Sequence, residues 1–481
     1  MRQRTSSAKV SAAGRHAALC GIAVLLLANA CFGQAAIQLS SSIGPPTSKT
    51  LVSGQNFPPD DKVDLCFDHT KVGQTTTDGT GVFSKVPIQV PKDALPGKHH
   101  VFANPHKPVA GAKAPFRVRT DWPQFGFLPS GGRHNPFENV LNPRNVGSLV
   151  SRFTFTAPAG LGDPIVAGGM VYINSYDGSL YALSADAGAL VWKAAGLVPA
   201  EMNGLVYVTD LTGNIYALKA GTGAVAWSYD IGVDLQPLVV SEGTVYAATP
   251  FGTNYDLFAL DGANGRLFWE TFFENTPWLS WPAVSDSKIY VGGCDSSGCA
   301  LLAVNSGDGT LLWKYPIGSD VLSPPAAVDG VVYAASMDNN VYALDIHTGA
   351  LLWKYSTTNA INSSPAVADG VVYVGSFDGN VYALDANTGD LLWKYFVGNY
   401  LGSPAVADGV VYVKSVNARV VALNAKTGGL LWQYTASGQA TDPIVANGML
   451  YFGSEYGVLY AFGLPRGAVN STSTKPHPHP R

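Results

Sequence analysis

The sequence predicts an all-β protein, an eight-bladed β-propeller of four-stranded blades closed by an N-terminal strand and preceded by a small β-sandwich. Three observations lead there. The 481 residues include 53 Gly and 31 Pro but only 13% charged residues, the composition of apolar strands broken by many tight turns. From about residue 149 a glycine stands four positions before a tryptophan seven times, at Gly188/Trp192, Gly223/Trp227, Gly265/Trp269, Gly309/Trp313, Gly349/Trp353, Gly389/Trp393 and Gly428/Trp432, the tryptophans 35 to 44 residues apart. Two further markers keep the same period and count eight: Tyr172, Tyr207, Tyr246, Tyr290, Tyr333, Tyr373, Tyr412 and Tyr451 in an apolar strand, and Pro164, Pro199, Pro237, Pro282, Pro325, Pro365, Pro404 and Pro443 opening each unit.

The chain begins with an address. Arg2, Arg4, Lys9 and Arg15 precede the apolar run 17–30, and Ala28-Asn29-Ala30 is a small-residue cleavage signal, so residues 1–35 read as a signal peptide cleaved near Ala30 or Ala35. The mature protein is expected to be exported, periplasmic or extracellular, with no transmembrane span. A lipid anchor on Cys31 is the lesser alternative, because Ala28 and Asn29 depart from the lipobox pattern. A net charge of −4, with no basic block past residue 15, excludes nucleic acid as a partner.

Residues 36–120 alternate like a separate sandwich. Val63, Leu65 and Phe67 point one way and Asp64, Cys66 and Asp68 the other, "GVFSKVPIQV" repeats the period of two, and "PPDD", "TTDGTG" and "DALPGK" supply turns, suggesting about seven strands. Through Gly44-Pro45, Gly54, Phe57-Pro58, Gly81-Val82-Phe83 and Val90-Pro91 this stretch resembles bacterial Ig-like domains of the IPT/TIG kind, which implies a spacer or tether. Residues 121–148 are read as a linker leading into the propeller, 149–464 as the propeller, and the Pro-rich 465–481 as a disordered tail.

One unit, Ser363 to Tyr395, shows why four strands form. "PAVADG" is a short inner strand with proline at its start, where a missing N–H is tolerated. Asp369-Gly370 and Asp378-Gly379 offer the positive φ of tight hairpins, pairing "VVYVGS" with "VYALD". "DANTG" is a further turn, not a calcium loop, since the distal Glu is missing. "LLWKY" is the outer strand, its tryptophan packing between blades, a role extended to Trp192, Trp227, Trp269, Trp313, Trp353, Trp393 and Trp432. The eighth unit stops before an outer strand, which would leave an open edge; "NVGSLVSRFTF", with Phe153 in the tryptophan position, is predicted to complete it. A seven-bladed ring with an incomplete second unit is the alternative.

The repeat "VYALDANTGDLLWKY", with "DWPQFG", "NPFEN" and "NVGSL", resembles the pyrroloquinoline quinone (PQQ) repeat family of eight-bladed propellers over about 340 residues. The family includes quinoprotein alcohol dehydrogenases and a non-enzymatic lipoprotein of outer-membrane barrel assembly. The dehydrogenase resemblance implies PQQ with calcium, a tryptophan floor, a Glu/Asn/Asp cation set and a ring of adjacent cysteines. This chain has no Cys-Cys dipeptide and no C-x-x-C-H haem motif. No catalytic residue and no metal site is therefore assigned, and the His477/His479 tail and the lack of G-x-S-x-G add none.

Topology places candidate binding residues at one channel mouth: Asp163, Asp234, Glu274, Asn275, Trp278, Trp281, Asp320, Asn359, Asn362, Asn399, Tyr400 and Asp442. The loop "FFENTPWLSWP" is the richest, a platform for a flat or sugar-like ligand. Cys294 and Cys299 flank the hairpin of the fourth unit and are predicted to form a disulfide; Cys66 has a partner only if Cys31 survives processing. The expected function is binding, of an envelope protein or a carbohydrate, by a monomer; a PQQ-dependent dehydrogenase is the alternative.

Overall fold

The computed structural model describes residues 33–231, 238–249, 255–273 and 278–466, in two compact units divided after Arg119. In the first unit a three-stranded sheet of Ala36–Leu39, Lys49–Gln55 and Phe83–Gln89 shares one core with a five-stranded sheet of Ile43–Gly44, Ala112–Val118, Gly97–Pro105, Lys62–Phe67 and Thr70–Thr76. Val63, Leu65 and Phe67 fill that core as their alternation predicts, and Cys66 is buried with them. Among its described residues the unit is a two-sheet sandwich of eight strands where about seven were expected.

In the second unit, among the described residues, eight successive sheets each hold four antiparallel strands in the order of a propeller blade. The sixth is representative: Ala366–Ala368, Val371–Gly375, Asn380–Asp385 and Leu391–Phe396. Its hairpin turns as predicted at Asp369 (φ 50°) and Gly370 (φ 75°). The next turn differs, because only Gly379 is left-handed (φ 87°) and Asp378 instead caps it, its carboxylate accepting from the Asn380 N–H at 2.9 Å. The short second unit is complete, with Leu197–Met202, Leu205–Thr209, Asn214–Lys219 and Val225–Asp230. In the eighth blade the outer strand is Val150–Thr156, paired with Val458–Gly463, as the missing edge required.

Each tryptophan of the repeat leans on the next blade. Nε1 of Trp192, Trp227, Trp269, Trp353 and Trp393 donates to a turn carbonyl there at 2.8 to 3.0 Å. The ring covers the glycine of that blade's own G-x3-W: a Cβ at Gly389 would lie 2.7 Å from the Trp353 ring, and one at Gly428 2.7 Å from Trp393. Phe153 covers Gly188 in the same way, so it does stand in for tryptophan at ring closure. Trp432 faces the one blade without the motif and lies edge-on to Phe462, 5.1 Å between centroids.

An inner strand of three residues is also a sheet edge, and its central N–H points into the channel. The segment after Thr120 meets those groups in turn. Trp122 exchanges two hydrogen bonds with Val166 of blade 1, both 2.8 Å; the Pro123 carbonyl accepts from Glu201 of blade 2; the Gln124 side chain pairs with Val240 of blade 3. The carbonyls of Pro129, Ser130, Gly132 and Arg133 then accept from Val284, Ala327, Val367 and Val406 of blades 4 to 7 at 2.8 to 2.9 Å. Asn135 Nδ2 donates to the Val445 carbonyl of blade 8 at 2.9 Å. Trp122 and Arg133 are fully buried, so residues 122–135 form an axial cord inside the ring.

Gly370 and Gly389 separate two roles of glycine, since both have positive φ (75° and 77°) but only Gly389 seats a tryptophan. Gly370→Ala should lower stability by about 1 kcal/mol, the left-handed strain alone. Gly389→Ala should cost about 3 kcal/mol, strain plus overpacking, measured by urea denaturation of the two variants.

Candidate functional site

Among the described residues, those before an opening proline stand at one end of the channel, beside the cord. These residues are wired blade to blade. The Asp442 N–H donates to Asp163 Oδ1 at 2.7 Å, the Ser403 N–H to Asp442 Oδ2 at 3.1 Å, and the Ser364 N–H to Ser403 Oγ at 3.1 Å. The relay stops where the next position is Pro324, which has no N–H to give. Ser364 Oγ is accordingly left buried without a hydrogen-bond partner.

Arg133 of the cord lies beneath this relay. Its Nε donates to the Pro404 carbonyl (2.8 Å), Nη1 to Phe125 (2.9 Å) and Nη2 to Pro443 (3.2 Å), and its guanidinium stacks 4.3 Å from the Phe125 ring centroid. Burial disfavours its charge, and the carboxylates of Asp442 and Asp163 offset that. Asp163 is pushed up to about 7, first by burial and then by Asp442, with Arg133 pulling the other way. Two neighbouring acids thus share one buried cation.

Above the pair opens a pocket of about 390 Å³ between blades 7, 8 and 1, lined by Asp163, Tyr176, Lys414, Gln439, Asp442 and Glu455. Gly402 leaves room for two of these side chains, because a Cβ there would overlap Asp442 Oδ1 and the Lys414 side chain.

Of the predicted site residues, Asp163 and Asp442 meet here. Asp320 lies elsewhere, against blade 4, where Cys294 and Cys299 form the predicted disulfide (S–S 2.03 Å) and Asp320 Oδ1 sits 2.9 and 3.3 Å from the two sulfurs. These three are the metal-capable group among the described residues, and with the sulfurs joined they offer one carboxylate. Trp281 is edge-on to Phe125 of the cord at 4.9 Å and lines a void of about 20 Å³, so its ring helps to plug the channel. Trp278 is placed by its backbone in strand Trp278–Leu279, paired with Lys288–Asp295. Asn359, Asn362, Asn399 and Tyr400 are exposed, Asn359 Oδ1 accepting from Ala360 N–H and the Tyr400 ring lying 4.7 Å from Phe377. Asp234, Glu274 and Asn275 lie outside the described residues.

Sequence reasoning missed Arg133, Lys414, Tyr176 and Glu455. Three of them carry a signal as departures from the repeat, since "VVYVKS" has Lys414 where the sixth unit has Gly375, and Tyr176 and Glu455 occupy the hairpin position of Phe377.

A family profile described as outer membrane protein assembly factor BamB, of the PQQ-repeat type, matches residues 145–197, 193–279 and 256–469. The chain belongs to this PQQ-repeat family. Outer membrane protein assembly factor BamB of Yersinia pestis is 33% identical over 133 residues, 24% of this chain and 32% of that relative, so the match spans about a third of the relative's length. In three dimensions the chain is similar to quinohemoprotein alcohol dehydrogenase from Comamonas testosteroni (TM-score 0.63, 16% identity, 72% of this chain and 81% of that one). It is also similar to BamB from Moraxella catarrhalis (TM-score 0.57, 21% identity, 66% of this chain and all of that one). At these identities the two structures establish the fold that this PQQ-repeat chain shares with both. No helix among the described residues is long and apolar enough to cross a membrane.

Two substitutions test the electrostatics. A carboxylate whose folded pKa is raised from 3.8 to about 7 loses stability as pH climbs between those values, because the unfolded chain releases its proton first. Asp163→Asn, whose amide oxygen still accepts from Asp442, should therefore flatten the fall in urea midpoint between pH 4 and pH 7, values that bracket about the shifted range. Arg133→Met should cost about 3 kcal/mol or more by stranding the Pro404 and Pro443 carbonyls, and should raise Asp163 further, read by NMR titration of its carboxyl carbon.

Proposed function

We propose that this chain is an exported PQQ-repeat scaffold of the cell envelope that acts by binding, with its sandwich as an Ig-like spacer. The axial cord carries the reading. In an open ring the channel itself would receive a flat ligand, but here residues 122–135 take up the inner edge of every blade. Binding therefore falls to the rim and the outer faces, where exposed Leu351, Leu352, Leu391 and Leu392 are repeated on the outer strands of successive blades. The relatives named for outer-membrane assembly support a protein partner in the envelope.

The described residues do not fit the quinone of the dehydrogenase relatives. Trp281 already packs in a T-shaped pair with Phe125 of the cord, a contact that a tryptophan serving as a cofactor floor would have to share. Asp163 and Asp442 each give one oxygen to a backbone N–H and face the Arg133 charge, whereas a calcium set converges several free oxygens on one point. The disulfide closes a hairpin of blade 4, so it forms no ring of adjacent cysteines.

Purified protein supplied with PQQ, calcium, a dye acceptor and a panel of alcohols should show no turnover above the free cofactor. Immobilised protein should retain a specific protein from detergent-solubilised envelope, and lose it when Leu351, Leu352, Leu391 and Leu392 are replaced by Ser. Robust dye reduction dependent on PQQ would contradict the reading.

A further inference from the structure

The pocket between blades 7, 8 and 1 has a lining that narrows its ligand. At about 390 Å³ it falls within the range of small-molecule sites, large enough for a mono- or disaccharide. Its lining combines the acids Asp163, Asp442 and Glu455 with Lys414 and Gln439. They do not converge as a cation site would, for the His/Cys/Asp/Glu group within 4.8 Å among the described residues is the one at Cys294, Cys299 and Asp320. An anionic ligand would meet three acids, and an apolar one would strip water from all of them. A ligand with many hydroxyls suits this mixed lining, because a hydroxyl donates to a carboxylate and accepts from an ammonium at once.

The aromatic at the mouth supplies the other half of such recognition. Tyr176 lines the pocket with its side chain held over Gly160 while remaining 68% exposed, and it lies in the hairpin turn between the second and third strands of blade 1. A large ring left in water at the lip of a polar pocket offers an apolar face to the axial C–H groups of a pyranose. Asp163 and Asp442 are already oriented by the Asp442 and Ser403 N–H groups, so the acceptors are set before the ligand arrives.

We propose that this pocket is a saccharide site, in which Tyr176 stacks on one pyranose ring while Asp442, Glu455 and Lys414 hydrogen-bond its hydroxyls. It gives the binding scaffold a small-molecule specificity that is separate from any protein partner on the outer strands, and it rests on the binding reading above.

Calorimetric titration of the full chain with cellobiose, chitobiose and maltose, at concentrations up to about 10 mM, tests it. At least one disaccharide should bind saturably with a stoichiometry near one. Tyr176→Ala, at an exposed position that leaves the fold intact, should weaken it about tenfold, and Glu455→Gln by a similar factor. Binding of none of the three, or binding that both variants leave unchanged, overturns the saccharide site. The scaffold reading is judged separately: capture of an envelope protein that Tyr176→Ala leaves intact would keep it standing even if the sugars fail.

Discussion

Among the described residues, the inner strand of each blade is a sheet edge, and only in blade 7 does a fifth strand, the two residues His134–Asn135, pair with it. Unpaired N–H and C=O groups in a narrow channel are costly, and eight such edges face the same space. This chain covers them with its own residues 122–135, at least one hydrogen bond per blade. Because those bonds come from one continuous stretch, blades far apart in sequence become mutual dependants. Blade 1 and blade 8 are joined twice, through the cord and through the strand Val150–Thr156.

The cord also breaks the symmetry of the repeat. A uniform ring would present the same residue at every pre-proline position, but here the blades offer Asp163, Ser364, Ser403 and Asp442 on one side and Trp281 and Pro324 on the other. Arg133 lies under the acidic side, so charge gathers where blades 7, 8 and 1 meet. Trp281 packs on Phe125 and closes the opposite side. The polar pocket is the outward face of that asymmetry.

Much of the ring was legible because repeated markers report local geometry. The proline, tyrosine and tryptophan series placed the strands, and Phe153 in the tryptophan position pointed to how the ring closes. The meaning of the G-x3-W glycine was half visible: its turn could be read, but its service as a seat for the preceding blade's tryptophan depends on a contact 31 to 40 residues away. The cord was not legible, because 122–135 has neither a period of two nor of 3.6 and takes its conformation from eight partners spread along the chain. For the same reason Asp163 and Asp442 could be placed at one mouth, while Arg133, the buried cation beside them, could not. Trp281 looked like a ligand platform because an off-register aromatic has no local role, and its partner Phe125 lies more than a hundred residues earlier.

The central claim is that the cord is an integral part of the ring. Native-state hydrogen exchange on the amides of Val284, Ala327, Val367 and Val406 tests it most directly, since each donates to the cord. These four should exchange as slowly as amides in the middle strands of the same blades, through opening of the whole propeller. Exchange as fast as that of exposed turn amides, with the middle strands still protected, would show that the cord leaves the channel on its own and would contradict the account.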